Sequence, residues 1–407
     1  MIVKQYIKDF ENLGFGMFVH FGLYSLIGRG EWAKQNCGLA WDEYMKTINR
    51  FNPKTDWADN LVKVAKDAGC KYITLTARHH DGFSLYDTNG MNNYDAVHVC
   101  KRDLVREFVD ACRSEGIIPF FYHTLIDWHE EKYRTGFKAY LKYLRASVEL
   151  LCKNYGKIGG IWFDGIWEQP DADWEEDALY GMIRRYQPEA MIINNTGLFK
   201  RGALGHIELD SVTFERGNPA PINMEDSPKY IASEMCETLN DHWGYAKNDF
   251  NYKSASEIIE TLVACRRYRS NLLLNVGPLG NGYLRTIDKG LLEIIGNWVK
   301  INEKAIRTPA PSKITVTNKP KDFILKEGNV YYLFVHDLQM FADLNVAIAK
   351  KMELKEEFVF PKQIKSVCWM DSGEKLDFVQ NGDNVTITTK PYMYGESYVV
   401  RIIEIKV

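Results

Sequence analysis

The sequence predicts a (β/α)8 barrel followed by a small antiparallel β-sandwich. Three features carry that expectation. Short apolar strands and amphipathic helices alternate eight times over about 300 residues, the pattern of a barrel of parallel strands. Single polar residues stand at the carboxyl ends of several of those strands. After Arg307 the texture changes: Thr308-Pro309-Ala310-Pro311 leads into short β-rich runs separated by turn signals.

The elements follow in order. A first strand lies within residues 14–22 and ends near His20. Residues 57–68 have helical periodicity and close at Gly69, a position that suits a left-handed cap. Strand two, Tyr72 to Ala77, runs into Arg78-His79-His80-Asp81-Gly82. Asp103 opens a helix over 103–115 that stops at Gly116. Strand three, Ile117 to Tyr122, runs into His123, and a long helix over 134–153 follows. Strand four, Ile158 to Phe163, is apolar throughout, as expected of a strand buried on both faces, and gives out on Asp164 and Gly165. A helix over 173–186 stops before Pro188. Ala190 to Asn194 make strand five, Val212 to Glu215 strand six, and Ser233 to Cys236 strand seven. A helix over 254–269, capped by Ser254 or Ser256, leads to strand eight, Asn271 to Val276, and a last helix covers 286–303. The expected division is a barrel over 1–307, a linker over 308–311 and a sandwich over 312–407. In the last segment, Val330 to Val335, Ile364 to Trp369, Val385 to Thr388 and Tyr398 to Ile403 read as strands.

Composition narrows the function. Lys+Arg 51 against Asp+Glu 54 gives a net charge of −3, with no dominant basic field for nucleic acid or an anionic membrane. Ten Trp and 23 Tyr offer flat apolar faces of the kind sugars stack on. None of the eight cysteines forms a C-x-x-C pair, so they read as reduced core residues rather than zinc or redox motifs. Residues 1–9 are too charged for a secretory signal, and no apolar run is long enough to span a bilayer, so the expected location is cytoplasmic.

The chemistry gathers at strand ends. His20, His79, His80, Tyr122, His123, Asp164 and Glu215 all fall where a barrel would place its mouth. A histidine-rich mouth suits a metal, yet His79 and His80 are adjacent, and neighbours on a strand point to opposite faces. They share a site only beyond the strand's end, and neither H-x-H nor H-E-x-x-H occurs. Two carboxylates on different strand ends, Asp164 and Glu215, fit glycoside hydrolysis instead, one attacking the anomeric carbon and the other protonating the leaving oxygen. Trp32 and Trp243 can supply stacking.

The blocks Gly14-Phe-Gly-Met-Phe-Val-His20-Phe-Gly-Leu-Tyr-Ser25, Glu31-Trp32, Arg78-His79-His80-Asp81-Gly82-Phe83, Trp162-Phe163-Asp164-Gly165, His242-Trp243-Gly244-Tyr245 and Asn271-Leu-Leu-Leu-Asn275-Val-Gly-Pro278 together resemble the α-L-fucosidases of glycoside hydrolase family 29. The resemblance covers roughly residues 12–307. It implies a retaining exo-hydrolase of terminal α-L-fucose with no metal or other cofactor. Asp164 would be the nucleophile, ionised at working pH. His20, Glu31, Trp32, His79, His80 and Trp243 would contact the sugar, and the strand-three role is divided between Tyr122 and His123. The acid/base is assigned to Glu215, with Glu234 as the alternative and otherwise a sugar contact. Where the family often carries an arginine after strand five, this chain has Asn194-Asn195-Thr196-Gly197, so that arginine is either missing or supplied from elsewhere, by Arg201 or Arg216. The implied partner is a fucosylated glycan or glycoside, with self-assembly into a homo-oligomer left open. A non-catalytic fucose-binding protein on the same scaffold and a metal-dependent sugar-processing barrel enzyme are the alternatives.

Overall fold

The structure, a computed structural model, describes residues 2–196, 198, 200–225, 227–340 and 353–407. It divides into two compact units, Met1–Lys253 with Ser270–Glu293, and Ser254–Arg269 with Ile294–Val407. Among the described residues no helix is long and apolar enough to cross a membrane.

The first unit is built on a closed barrel of eight parallel strands in sequence order. They are β1 (Phe15–Val19), β2 (Tyr72–Arg78), β3 (Ile118–Thr124), β4 (Gly160–Asp164), β5 (Met191–Asn194), β6 (Ser211–Glu215), β7 (Ala232–Thr238) and β8 (Asn271–Val276). The expected strands are all present, within a few residues of their expected ends. The intervening helices are amphipathic. Helix Trp57–Asp67 buries Trp57, Ala58, Leu61, Val62 and Ala65, a stripe at three- and four-residue spacing. Helix Leu104–Glu115 is capped by the Asp103 carboxylate, which accepts from Arg106 N–H at 2.9 Å, and ends on Gly116 in the left-handed region.

Side chains alternate between barrel interior and helical layer along every strand. Phe18, Tyr72, Phe120, Tyr122, Trp162, Met191, Ile193, Ala232, Cys236 and Leu273 fill the interior as one apolar cluster. Ile7 and Phe10 join it from the helix Gln5–Leu13, an element that the reading of the sequence did not include. The same alternation, carried one step further, sets the mouth: His20 follows Phe18, Asp164 follows Trp162, and Asn195 follows Ile193, each two residues on.

The second unit holds a five-stranded antiparallel sheet and a three-stranded one. In chain order the strands are β9 (Ala310–Thr315), β10 (Phe323–Glu327), β11 (Val330–Val335), β12 (Leu354–Val359), β13 (Ser366–Trp369), β14 (Phe378–Asn381), β15 (Asn384–Thr389) and β16 (Arg401–Lys406). Leu333, Val335, Phe358, Phe360, Trp369, Val385, Ile387 and Ile403 belong to a single buried core, as in a sandwich. The boundary differs from the expected 308–311, since β9 already includes Ala310 and Pro311. Helix Ala255–Arg267 also groups with the second unit, where Arg266 donates to the Arg307 carbonyl at 2.8 Å and Arg267 to the Pro320 carbonyl at 3.3 Å. Trp298 ties the last helix, Thr286–Ile306, to the Val400 carbonyl. None of the eight cysteines is in a disulfide, but Cys37, Cys100 and Cys368 are half-exposed rather than core residues.

Candidate active site

A cavity of about 310 Å3 opens at the carboxyl ends of the barrel strands. Phe18, His20, Glu31, Trp32, His79, His80, Tyr122, Trp162, Asp164, Trp167, Asn195, Leu198, Glu215, Cys236 and Trp243 line it. Loops and strands separated by more than 200 residues thus converge on one pocket.

Asp164 is the last residue of β4, and Gly165 turns the chain away at φ 111°, in the left-handed region. Its Oδ2 accepts from the Tyr122 hydroxyl at 3.0 Å and its Oδ1 from Asn195 Nδ2 at 3.2 Å. The same Asn195 Nδ2 donates to Glu215 Oε2 at 2.6 Å. Thr213 Oγ1 donates to Asn195 Oδ1 at 3.1 Å, which fixes the amide with its nitrogen toward both acids. One neutral amide therefore bridges the two carboxyl groups.

Electrostatics tie the two acids together. Asp164 is held well above the carboxylate range, first by burial and then by the nearby Glu215 charge, against the hydrogen bonds from Asn195, Tyr122 and the Gly165 N–H. Glu215 is also raised, chiefly by burial, with Asn195, Arg216 and Arg201 opposing. Burial and the Glu215 charge oppose the ionised Asp164 expected from the sequence, and the bonds from Asn195, Tyr122 and the Gly165 N–H favour it. Two acids this close titrate as a pair, and across the middle of their range they hold one proton between them.

The three histidines are neutral. Burial lowers His20 and His80 to about 3 and drives His79 well below its usual range. Asn275 Nδ2 donates to the Trp243 carbonyl at 2.7 Å, so its Oδ1 accepts from His20 Nδ1 at 2.6 Å. Thr124 Oγ1 donates to the Ile126 carbonyl at 2.8 Å, so it accepts from His80 Nδ1 at 2.7 Å. Both rings are left with Nε2 as an acceptor, suited to a hydroxyl proton. His80 Nε2 lies 3.6 Å from Asp164 Oδ2. His79 and His80 both reach the cavity because β2 has a register shift between Thr76 and Arg78 and ends at Arg78. Asp81, by contrast, braces their loop from behind, accepting from the Tyr44 hydroxyl at 2.6 Å.

Glu31 also lines the cavity, its Oε2 accepting from Gly244 N–H at 2.8 Å. A Cβ at Gly244 would lie 2.7 Å from the Glu31 backbone nitrogen, so only glycine allows this approach. Trp32 packs edge-on to His80 at 5.4 Å, and Trp243 lies 5.3 Å from His20.

Two expected site residues do not line the cavity. His123 follows inward-facing Tyr122 by one residue and so points outward, toward Ser147 Oγ at 2.8 Å and the Tyr86 hydroxyl at 3.4 Å. Glu234 lies two residues before Cys236 on β7, one layer deeper in the barrel. It accepts from the Tyr72 hydroxyl at 2.5 Å and from Trp162 Nε1 at 3.0 Å, and burial raises it to about 7. Neither arginine offered for the strand-five position lines the cavity either: Arg201 holds the Glu215 carbonyl at 2.7 Å, and Arg216 lies over the Trp243 ring at 5.2 Å. Conversely, Asn195, Trp167, Leu198, Phe18 and Cys236 were not singled out from the sequence. Inward parity at the end of strand five was the available signal for Asn195. Among the described residues, no three His, Cys, Asp or Glu side chains are grouped to hold a metal ion.

Residues 3–304 match the sequence profile of a family described as Alpha-L-fucosidase. Tissue alpha-L-fucosidase of Rattus norvegicus is 28% identical over 367 residues, 80% of this chain and 76% of that protein. Plasma alpha-L-fucosidase of Homo sapiens is 26% identical over 379 residues, 82% of this chain and 76% of that protein. Among solved structures, Alpha-L-fucosidase isoenzyme 1 from Paenibacillus thiaminolyticus aligns with a TM-score of 0.82 at 28% identity, over 99% of this chain and 98% of that one. An alpha-L-fucosidase from Bacteroides thetaiotaomicron has the same fold, with a TM-score of 0.81 at 22% identity over 99% of this chain and 95% of that one. The matched profile spans the whole barrel and every residue of the cavity, and the chain belongs to the alpha-L-fucosidase family of glycoside hydrolases.

Proposed function

We propose that the chain hydrolyses terminal α-L-fucosides with retention of configuration, through a covalent fucosyl-enzyme on Asp164. The bridging Asn195 amide carries this reading. Two hydrogen bonds of 3.2 and 2.6 Å to one nitrogen limit the nearest oxygens of Asp164 and Glu215 to a separation below about 6 Å. Retention calls for carboxyl groups about 5–5.5 Å apart, and inversion for roughly 6.5–9.5 Å with a water between. The cavity supports action on a chain end. At about 30 Å3 per water it has room for about ten non-hydrogen atoms, close to one deoxyhexose.

The roles follow from the geometry. Asp164 attacks the anomeric carbon as Glu215 gives its proton to the leaving oxygen. Glu215, now a carboxylate, then takes a proton from the water that opens the ester. Tyr122 and Asn195 hold Asp164 in line through its two oxygens. His20 and His80 accept sugar hydroxyl protons, and Trp32 and Trp243 cover the apolar faces of the ring. Glu234, bonded to Trp162 and Tyr72 below the cavity, is a support and not the acid. The substrates are fucosylated glycans or glycoconjugates.

Stereochemistry tests the reading. Proton NMR of the first turnovers on 4-nitrophenyl α-L-fucoside should show α-fucose before mutarotation. Initial β-fucose would overturn it, and the absence of any turnover with fucose still bound would favour a binding protein on the same barrel.

A further inference from the structure

Two guanidinium groups flank the acid/base, and the catalytic roles leave both without a task. Arg216 directly follows Glu215, is exposed, and stands at φ 46°, a left-handed conformation unusual for a side-chain-bearing residue. Its N–H donates to the Cys236 carbonyl at 3.0 Å and its Nη2 to the Asp241 carbonyl at 2.6 Å. These contacts hold the guanidinium over the ring of Trp243, a wall of the cavity. Arg201 comes from the segment after β5. It donates to the Glu215 carbonyl through Nε at 2.7 Å and to the Arg216 carbonyl through Nη2 at 3.1 Å. Gly217 makes room for it, since a Cβ there would collide with Arg201.

The carboxyl groups nearest the pair are those of the cavity itself, Glu215 and Glu31. Among the described residues, the side-chain partners of both arginines are backbone carbonyls and the Trp243 ring, not carboxylates. The Asp241 carboxylate is taken by Asn251 Nδ2 at 3.1 and 3.2 Å, and the Glu31 carboxylate by the Gly244 N–H. Arg216 directly follows Glu215 and covers the ring of Trp243, and both of these line the cavity, so it stands at the mouth and not on a remote surface.

The cavity has room for one sugar, so the leaving group extends out of it on the side of the acid that protonates its oxygen. That side carries Arg216, Arg201 and Trp243. We propose that Arg216 and Arg201 form an anion-selective leaving-group subsite, so that the preferred substrates carry a sulfate ester or a carboxylate on the sugar next to the fucose. A guanidinium suits either group, because it donates through paired N–H bonds to planar or tetrahedral oxyanions. The proposal rests on the fucosidase reading above and adds the chemical class of the leaving group.

The test compares kcat/KM on a fucosyl N-acetylglucosaminide, its sulfated counterpart and a fucosyl uronide, each for the wild type, Arg216→Ala, Arg216→Lys and Arg201→Gln. 4-Nitrophenyl α-L-fucoside serves as the neutral reference. The wild type should favour at least one anionic substrate, by about ten-fold at low salt and less at high salt. Which of the two is favoured identifies the source of the charge. Arg216→Ala should remove most of that ratio, Arg216→Lys should keep part of it, and Arg201→Gln should reduce it. A wild-type ratio near one, or a ratio unchanged in Arg216→Ala, overturns the subsite while leaving the fucosidase reading intact. Failure to turn over the nitrophenyl fucoside overturns both.

Discussion

At the scale of single residues, the central feature is a neutral amide between two acids. Asn195 donates from one nitrogen to Asp164 and to Glu215, and Thr213 fixes its orientation. A cation in this place would favour the doubly ionised pair. An amide favours it less, and burial raises both acids, so the pair passes through a one-proton form between two titration steps. The activity of that one-proton form sets the sign of the pH profile. Below the first step both groups are protonated and the nucleophile is neutral. Above the second step no acid remains to protonate the leaving oxygen. A plot of kcat/KM against pH should be a bell whose acid limb lies above the ordinary carboxylate range. On an activated dinitrophenyl fucoside, which leaves without a proton, Glu215→Gln should abolish the alkaline limb and keep the acid limb. Survival of the alkaline limb in that variant would remove Glu215 from the role. No limb should trace to His20, His79 or His80, which burial keeps neutral throughout.

At the scale of elements, the two-residue alternation of the strands accounts for both what the sequence reveals and what it hides. On β4, Trp162 faces the barrel interior, and Asp164, two residues later, faces the mouth. The parity that brings Tyr122 inward turns His123 toward the helices. On β7 it stacks Glu234 beneath Cys236. Strand ends were therefore legible as apolar runs that stop at polar residues, and His20, Asp164 and Glu215 stood out that way. Parity was not legible where a strand's register was unknown, which is why His123 and Glu234 were misplaced and Asn195 passed over. The helix Gln5–Leu13 was hidden for another reason. Tyr6, Ile7, Phe10 and Leu13 do recur at helical spacing, but the element is only nine residues long and Lys4 gives it no capping side chain to mark its start. The depth of Glu234 yields a contrast between two variants. Glu234→Ala leaves the Tyr72 hydroxyl and the Trp162 indole N–H unsatisfied, at a cost of about 1–3 kcal/mol for each buried donor. Thermal denaturation should show a melting point lowered by several degrees. Glu234→Gln keeps an acceptor for Trp162 and should recover most of the activity. Restoration of Glu234→Ala by azide, with formation of β-fucosyl azide, would instead make Glu234 the acid/base.

At the scale of the whole molecule, a closed eight-stranded barrel brings His20, His80, Asp164 and Glu215 from four separate strand ends to one cavity sized for a single sugar. The alternating elements made this architecture readable from the chain. The change of texture after Arg307 announced a second unit, yet helix Ala255–Arg267 groups with that unit through Arg266 and Arg267, side chains whose partners lie about 40–50 positions away in sequence. Convergence on one cavity matters only if Asp164 is the atom donor that becomes bonded to fucose. The most direct measurement is a trapping experiment. The protein is incubated with 2-deoxy-2-fluoro-α-L-fucosyl fluoride, digested, and sequenced by tandem mass spectrometry. A single fluorofucosyl ester on Asp164, absent from Asp164→Gly, is the predicted result. A label on Glu215, on Glu234 or on any other carboxylate would contradict the account.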